Sequence, residues 1–424
     1  MRSKIIILFS LLLFTFTFAM GQKQVNSPYS RFNIGTLEPT GPFRGQGMGG
    51  IGVSMRDNSS IFYVNPASYS SLDTISFVFD FGLDYTMNRL STGDEGYSSD
   101  DMNFDHLVIG FPLAKGFGIA AGVVPVSNGY YRMMERVVAE DPEYDPVIGP
   151  YSALHSGEGG LTNFFIGTGI KVSKNLSAGV NMTILFGQLR RSNQFSFDDL
   201  FNVYHNNSTE RLQMGGINFE YGLQYLLPLK NKNFINAGIS YTTGKHYNSD
   251  YENFVYRYTS FGTSDTISYT SGVGNAVLLP GTLRAGVSFG KTDKFIAGFD
   301  FVTTNWSEAD IPGSSGYAAD TRTLMFGAEF TPDKFSNFGF LRRMDYRIGG
   351  HTGSNYLVIG GEQVKEIGVT AGLGMPMRRT PSKTNLFVDF TRKTGAGSLH
   401  TEDYFTVGIS INLYDWWFRQ RKYE

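Results

Sequence analysis

From Thr74 onward the chain repeats one pattern, apolar and polar residues in alternation, and this limits it to two-faced β-strands. In the first segment Ile75, Phe77, Phe79, Phe81, Leu83 and Tyr85 share one face. Ser76, Asp80, Gly82, Asp84 and Thr86 lie mostly on the other, because successive side chains of a strand point to opposite sides. The pattern returns at 103–112, 116–126, 158–172, 176–190, 212–227 and 233–258. It continues at 265–289, 294–304, 321–331, 344–352, 365–374, 384–392 and 403–413. The segment 265–289 contains Pro280. Reading it as one strand gives fourteen, the even number expected of a single-chain barrel.

An apolar strand face must meet either a second sheet or lipid. Three observations favour lipid. After residue 20 no apolar run reaches the roughly 20 residues a membrane helix needs, and helical periodicity is almost absent. The 51 glycines, 15% aromatic and only 17% charged residues suit a membrane barrel. Connections also alternate in length: 112–116, 173–175, 228–232 and 290–294 are short, whereas 88–101, 127–157, 191–211 and 304–320 are long. The connection 331–343 breaks the alternation. After the last strand, Tyr414, Trp416, Trp417 and Phe418 read as an aromatic girdle, followed by a basic tail at 419–424. The fold class is all-β: a transmembrane antiparallel β-barrel spanning 74–418.

Residues 1–21 read as a secretory signal, with Arg2 and Lys4 before an apolar stretch and Ala19 and Gly21 at the cut. The expected location is the outer membrane of a Gram-negative cell. With no cysteine, lipoprotein anchors, disulfides and thiolate metal sites are excluded. Between signal and barrel lies 22–73, read as a hatch inside the lumen. A barrel this wide otherwise holds an open channel. Gly45-Gln46-Gly47-Met48-Gly49-Gly50 superficially matches a dinucleotide loop but lacks the flanking strand and helix. It reads instead as backbone that must turn tightly. Asn65-Pro66-Ala67 predicts a fixed turn, since Pro sets φ and the Asn side chain can bond nearby backbone.

The hatch arginines Arg31, Arg44 and Arg56 face a lumen carrying Asp80, Asp84, Glu220, Asp300, Glu329 and Asp389, and some of these are expected to pair. Phe32, Ile34, Phe43, Ile51, Phe62 and Tyr63 either line a ligand pocket or pack the hatch against the wall. Arg31 is the candidate cation for a ligand carboxylate. Pro125, flanked by Gly122 and Gly129, marks a bulge or break in the third strand.

The net charge of −2 gives no reason to expect nucleic acid. The six histidines are widely spaced, and no triad or Gly-x-Ser-x-Gly elbow stands out. No catalytic group, metal or cofactor is expected.

One ordered set of motifs spans nearly the whole mature chain. It begins with Ser27-Pro28-Tyr29-Ser30-Arg31-Phe32, Gly47-Met48-Gly49-Gly50 and Asn65-Pro66-Ala67-Ser68-Tyr69, then Val124-Pro125-Val126-Ser127-Asn128-Gly129-Tyr130. Leu279-Pro280 before Arg284-Ala285-Gly286, Asp300 with Trp306, Gly372-Leu373-Gly374-Met375-Pro376 and Trp417-Phe418 complete it. The set resembles the FadL/TodX outer-membrane transporters of hydrophobic compounds, in the version common among Bacteroidetes. The resemblance implies an N-terminal hatch gated by Pro28, Tyr29, Arg31, Asn65, Pro66 and Ala67. It implies a lateral window at Pro125, Ser127, Asn128 and Tyr130 and a small fatty-acid-like ligand, for which Phe32, Ile34, Phe43 and Phe62 are the candidate contacts unless they pack the hatch. Membrane lipid is the surrounding partner. PorV-type relatives offer an alternative, a barrel that does not transport but partners a secretion-system protein.

Overall fold

The computed structural model describes residues 27–416 except 93–94, 143, 198–202, 260, 313–316, 338, 379 and 396–400. The expected signal at 1–21, Trp417, Phe418 and the tail at 419–424 lie outside the described residues.

Lipid-driven alternation is realised as one antiparallel sheet. Its strands are β1 (Ser76–Thr92), β2 (Glu95–Ala114), β3 (Phe117–Asn128 with Tyr131–Val137), β4 (Tyr151–Lys171) and β5 (Leu176–Ser196). Next come β6 (His205–Pro228), β7 (Asn233–Thr242 with Lys245–Tyr258), β8 (Ser264–Leu279 with Thr282–Lys291), β9 (Phe295–Thr304) and β10 (Thr321–Phe330). The last four are β11 (Asp345–Ile359), β12 (Glu362–Pro376), β13 (Lys383–Thr394) and β14 (Thr401–Trp416). β14 pairs with β1 from Thr401↔Ser91 to Trp416↔Ser76, so the sheet closes. These are fourteen barrel strands, three of them bent, and the break at Pro280 lies within β8 as the even count required.

The strands run further than their apolar pattern. The segments 88–101 and 191–211, expected as loops, are largely ladder, with Asn88↔Ser99 and Arg191↔Glu210 paired. Backbone pairing continues wherever two strands remain adjacent. Alternation is imposed only where one face meets hydrocarbon, so polar strand ends escape a reading based on periodicity.

Outward side chains form a continuous apolar band, with Ile217 44%, Phe299 44%, Ile348 69% and Ile409 48% exposed. A soluble monomer rarely shows a patch of that extent. Among the described residues no helix is long and apolar enough to cross a membrane. The barrel is of the transmembrane type.

The lumen is a packed core. The hatch follows 3-10 turns at Pro28–Arg31 and Pro66–Ser71, a short strand Thr36–Leu37 and one helical turn Phe43–Gln46. Phe43, Met48, Ile51, Phe62 and Ala67 are fully buried. Two rungs of wall glycines make room for it. Gly118, Gly169, Gly179 and Gly222 pair directly across β3 to β6, and the turn Pro66–Ser71 lies on them. A Cβ at Gly179 would come within 2.6 Å of the Ala67 nitrogen. On the other side Gly298, Gly327 and Gly349 pair across β9 to β11 beneath Met48 and Ile51. Close backbone approach is a reason for glycine inside a strand.

Candidate functional site

The Asn65-Pro66-Ala67 turn is the seat of the hatch. Asn65 is fully buried. Its Oδ1 accepts from the Ala67 nitrogen at 3.1 Å, the side-chain cap of the 3-10 turn that Pro66 starts. Its Nδ2 donates to the Val53 carbonyl at 2.8 Å and reaches the wall carbonyls of Leu223 and Ile239 at 3.1 and 3.3 Å. The wall answers with side chains aimed at hatch backbone. Gln224 donates to Val53 and Met55 at 3.0 and 2.9 Å, Asn236 donates to Ser54, and Thr370 accepts from Gly49 at 2.8 Å. Asp300 accepts from Gly52 and Val53 at 2.7 and 2.9 Å. Buried backbone groups need such partners, and a hatch too short for regular structure cannot supply them itself.

Charge fixes the other side. Arg44 Nη2 and Nε hold Glu329 at 2.7 and 3.0 Å, and Arg44 Nη1 holds Asp57 at 2.6 Å. The wall's Arg347 also meets Glu329 at 2.7 Å and reaches Asp345 at 3.3 Å, and Lys383 binds Asp345 at 2.5 Å. Burial alone would raise the Asp57 carboxyl; Arg44 and Lys383 outweigh it and hold Asp57 well below the usual carboxylate range. Of the three hatch arginines, Arg44 alone makes the expected pairing with an inward wall carboxylate among the described residues. Arg56 bonds the hydroxyls of Ser177 and Ser70 at 3.3 and 3.2 Å. Arg31 is exposed.

The wall has a gap between β2 and β3. Their ladder ends at Leu107↔Val123, although β2 itself runs back to Glu95, paired with β1. Beyond Val123, strand β3 bulges at Val126 against β4, where Pro125↔Thr162 is followed by Ser127↔Leu161. Asn128 Oδ1 accepts from the Tyr130 nitrogen at 3.0 Å and turns the chain. Instead of β2, Asn128 and Ser127 pair with hatch residues Thr36 and Leu37. Pro explains the start of the break, since it cannot donate to a ladder.

A cavity of about 520 Å³ lies between hatch and wall. Asn103 and Asp105 line it on one flank of the gap, and Val124, Pro125 and Val126 on the other. Ile34, Leu37, Tyr63 and Val64 supply its hatch side. Trp306 and Tyr356, with ring centroids 4.4 Å apart, cover another wall. Of the hatch residues read as possible pocket lining, Ile34 and Tyr63 line the cavity. Phe43 packs against Phe387 and His106, Phe62 lies under Arg44, and Phe32 meets Tyr317 at 5.0 Å. Arg31 is not among the lining side chains. Sequence reasoning missed Tyr356, Asp105 and the lumen role of His106, which is fully buried with Asp80 at 3.3 Å and Asp105 on its other nitrogen. β2 carries one extra residue, Asp105, where Gly82↔His106 is followed by Leu83↔Phe104, and this bulge turns Asp105 inward beside His106.

Glu38 enters the same cavity from the hatch. Burial pushes its carboxyl up to about 7, with Asp105 and Asp101 adding repulsion against Lys393. Its ordinary value is 4.5. The folded chain therefore holds a proton that the unfolded chain releases between those values, and stability falls as pH climbs from about 4.5 to about 7. The melting temperature in detergent is expected to drop between pH 5 and pH 8, and Glu38→Gln should shrink that drop. An undiminished drop in the variant removes Glu38 as the cause.

A closed barrel filled by its own N-terminal segment, with a gap between two wall strands and a cavity behind it, defines a hatch barrel of the outer-membrane type. The chain belongs to the BamG family, whose profile matches residues 1–424. Comparison with curated proteins finds no sequence match. Its fold is similar to that of the Pseudomonas putida toluene transporter TodX, at 13% identity and a TM-score of 0.60, covering 91% of this chain and 100% of that one. It is also similar to the CymD monoaromatic hydrocarbon channel, at 15% identity and 0.56, covering 90% and 98%. The Ralstonia pickettii toluene transporter TbuX gives 14% identity and 0.56, covering 89% and 98%. FadL/TodX-type channels are thus its neighbours in fold.

Proposed function

We propose that the chain passes small hydrophobic molecules across the outer membrane by hatch rearrangement and lateral exit. A ligand enters the cavity from the outer loops, loosens the contacts of Thr36 and Leu37 with β3, and leaves between β2 and β3. The observation that carries this reading is the ladder ending at Leu107↔Val123 with the cavity directly behind it. A sideways exit suits an apolar molecule, which gains free energy by entering lipid rather than water. Glu38, Asp84 and Asp105 stand at the window end of the cavity. They outnumber Lys393, the cation beside them, so a further carboxylate is disfavoured there, and Arg31 is not placed to offset them. A neutral aromatic or aliphatic molecule fits better than an ionised fatty acid.

Deleting Val126 tests the exit. Removing the extra residue of the bulge should let β3 continue its ladder with β2 and close the gap. Proteoliposomes holding the variant are expected to lose most of their uptake of a neutral aromatic tracer, while wild type prefers that tracer to laurate. Unchanged uptake in the variant defeats the lateral route.

A second reading is a barrel that partners a secretion or surface-assembly protein. It is favoured by the density of hatch anchoring, which joins β5 to β10 and β12 and gives the plug little freedom. A stable protein partner on pull-down, with no uptake defect on deletion, selects this reading over transport.

A further inference from the structure

The connection between β10 and β11, residues 331–344, is the long one at the end of the barrel where the other turns are short. It does not hang free below the mouth. The Asp333 nitrogen bonds the Arg342 carbonyl at 2.7 Å and closes it on itself. Three ties then fold it against the outside of the wall. Tyr346, on the outer face because its neighbour Arg347 points into the lumen, donates to the Leu341 carbonyl at 3.0 Å. Lys294 donates to the Pro332 carbonyl at 2.5 Å and sits 5.3 Å from the ring of outward-facing Phe330. Lys334 pairs with Asp293 of the adjacent turn at 2.6 Å.

The side chains this fold displays are of two kinds. Phe335 is 74% exposed, Leu341 66% and Phe340 46%, continuous with the apolar band through Tyr346 and Ile348. Arg342 and Arg343 follow on the helical turn Phe340–Arg343. The Arg343 Nε is buried and has no hydrogen-bond partner among the described residues. Exposed aromatics and cations side by side, at the rim of a lipid-facing wall, match an interface where acyl chains give way to charged headgroups. We propose that this turn is a foot that docks on the anionic phospholipid surface of the inner leaflet. Phe335, Phe340 and Leu341 enter the acyl boundary, and the two guanidiniums bind headgroup phosphate. The inference rests on the barrel spanning a membrane and not on what it transports.

The chain has no cysteine, so Phe335→Cys in the full-length barrel gives one site for an environment-sensitive fluorophore. In nanodiscs of phosphatidylcholine with phosphatidylglycerol, the probe is expected to be quenched by chain-nitroxide lipid and shielded from aqueous iodide. Native mass spectrometry of the unlabelled barrel should show retained phosphatidylglycerol in preference to phosphatidylcholine. Arg342→Gln with Arg343→Gln should cut that preference roughly tenfold or more, while the heat-modifiable gel shift of the folded barrel is retained. Iodide access to the probe in nanodiscs overturns the proposal. So does equal retention of the two lipids by wild type, or a copurifying protein that shields the probe from both quenchers.

Discussion

Gly222→Val is expected to unseat the hatch and convert a closed barrel into a leaking one. A Cβ at Gly222 would collide with the Asn65 Oδ1 and approach the Pro66 Cδ to 2.8 Å. Neither side can yield cheaply. The wall backbone is held by its pairing with Gly179 on one flank and Ser240 on the other. The hatch side is the capped turn itself. Overpacking a filled core costs about 1–3 kcal/mol, and each buried hydrogen bond lost from Asn65 adds about 1 kcal/mol. A total near 4 kcal/mol shifts the docked-to-undocked ratio by about a thousandfold. The expected results are large, noisy conductance in planar bilayers and fast deuterium exchange across the hatch, with the barrel still folded by its gel shift. Gly215→Ala on the same strand is the control, because the Cβ added there meets only the Leu185 carbonyl, at 3.3 Å. Quiet channels and protected amides in Gly222→Val would show that the Asn-Pro-Ala turn does not need this seat.

The parts of the fold written in the sequence are those on which the membrane acts. Lipid on one face forces alternation, so all fourteen strands, including the bent β8, could be read. Their outer ends, with polar residues on both faces, could not. Asn65 and Pro66 were legible as a fixed turn because both residues act locally, one as cap and one by its ring. Their partners were not. Gly169, Gly179 and Gly222 look like ordinary strand weaknesses until register sets them side by side. Charge complementarity predicted that hatch arginines meet lumen carboxylates, and it holds for Arg44 and Glu329. It did not foretell that Asp300 would receive two backbone N–H groups. Apolar character alone could not separate Ile34 and Tyr63, at the cavity, from Phe43 and Phe62, sealed beside it. That distinction depends on which way a short irregular segment turns, and no periodicity records it.

Glu329→Ala tests the charged side of the same lock, and its effect should be of similar size by a different route. Among the described residues, Glu329 is the one carboxylate shared by the hatch's Arg44 and the wall's Arg347. Its removal leaves the Arg44 charge to Asp57 and the Arg347 charge to Asp345, which already binds Lys383. Breaking a buried pair by deleting one partner costs about 3–5 kcal/mol, chiefly because an uncompensated charge stays behind. The hatch helix is then expected to pull away from β10, raising conductance and lowering the melting temperature of the barrel in detergent. The desolvation origin gives a sharper expectation. Arg44→Met in the Glu329→Ala background removes the excess positive charge, leaves Asp57 to Lys383, and should recover part of the lost melting temperature, although one more interaction has been deleted. Simple loss of attraction predicts the reverse, with the double variant no better than the single one. Recovery would establish Glu329 as a counter-ion that permits Arg44 to be buried in the plug. If the double variant melts lower still, the cluster contributes net attraction, and the plug is held by charge as well as by the backbone bonds at Asn65 and Asp300.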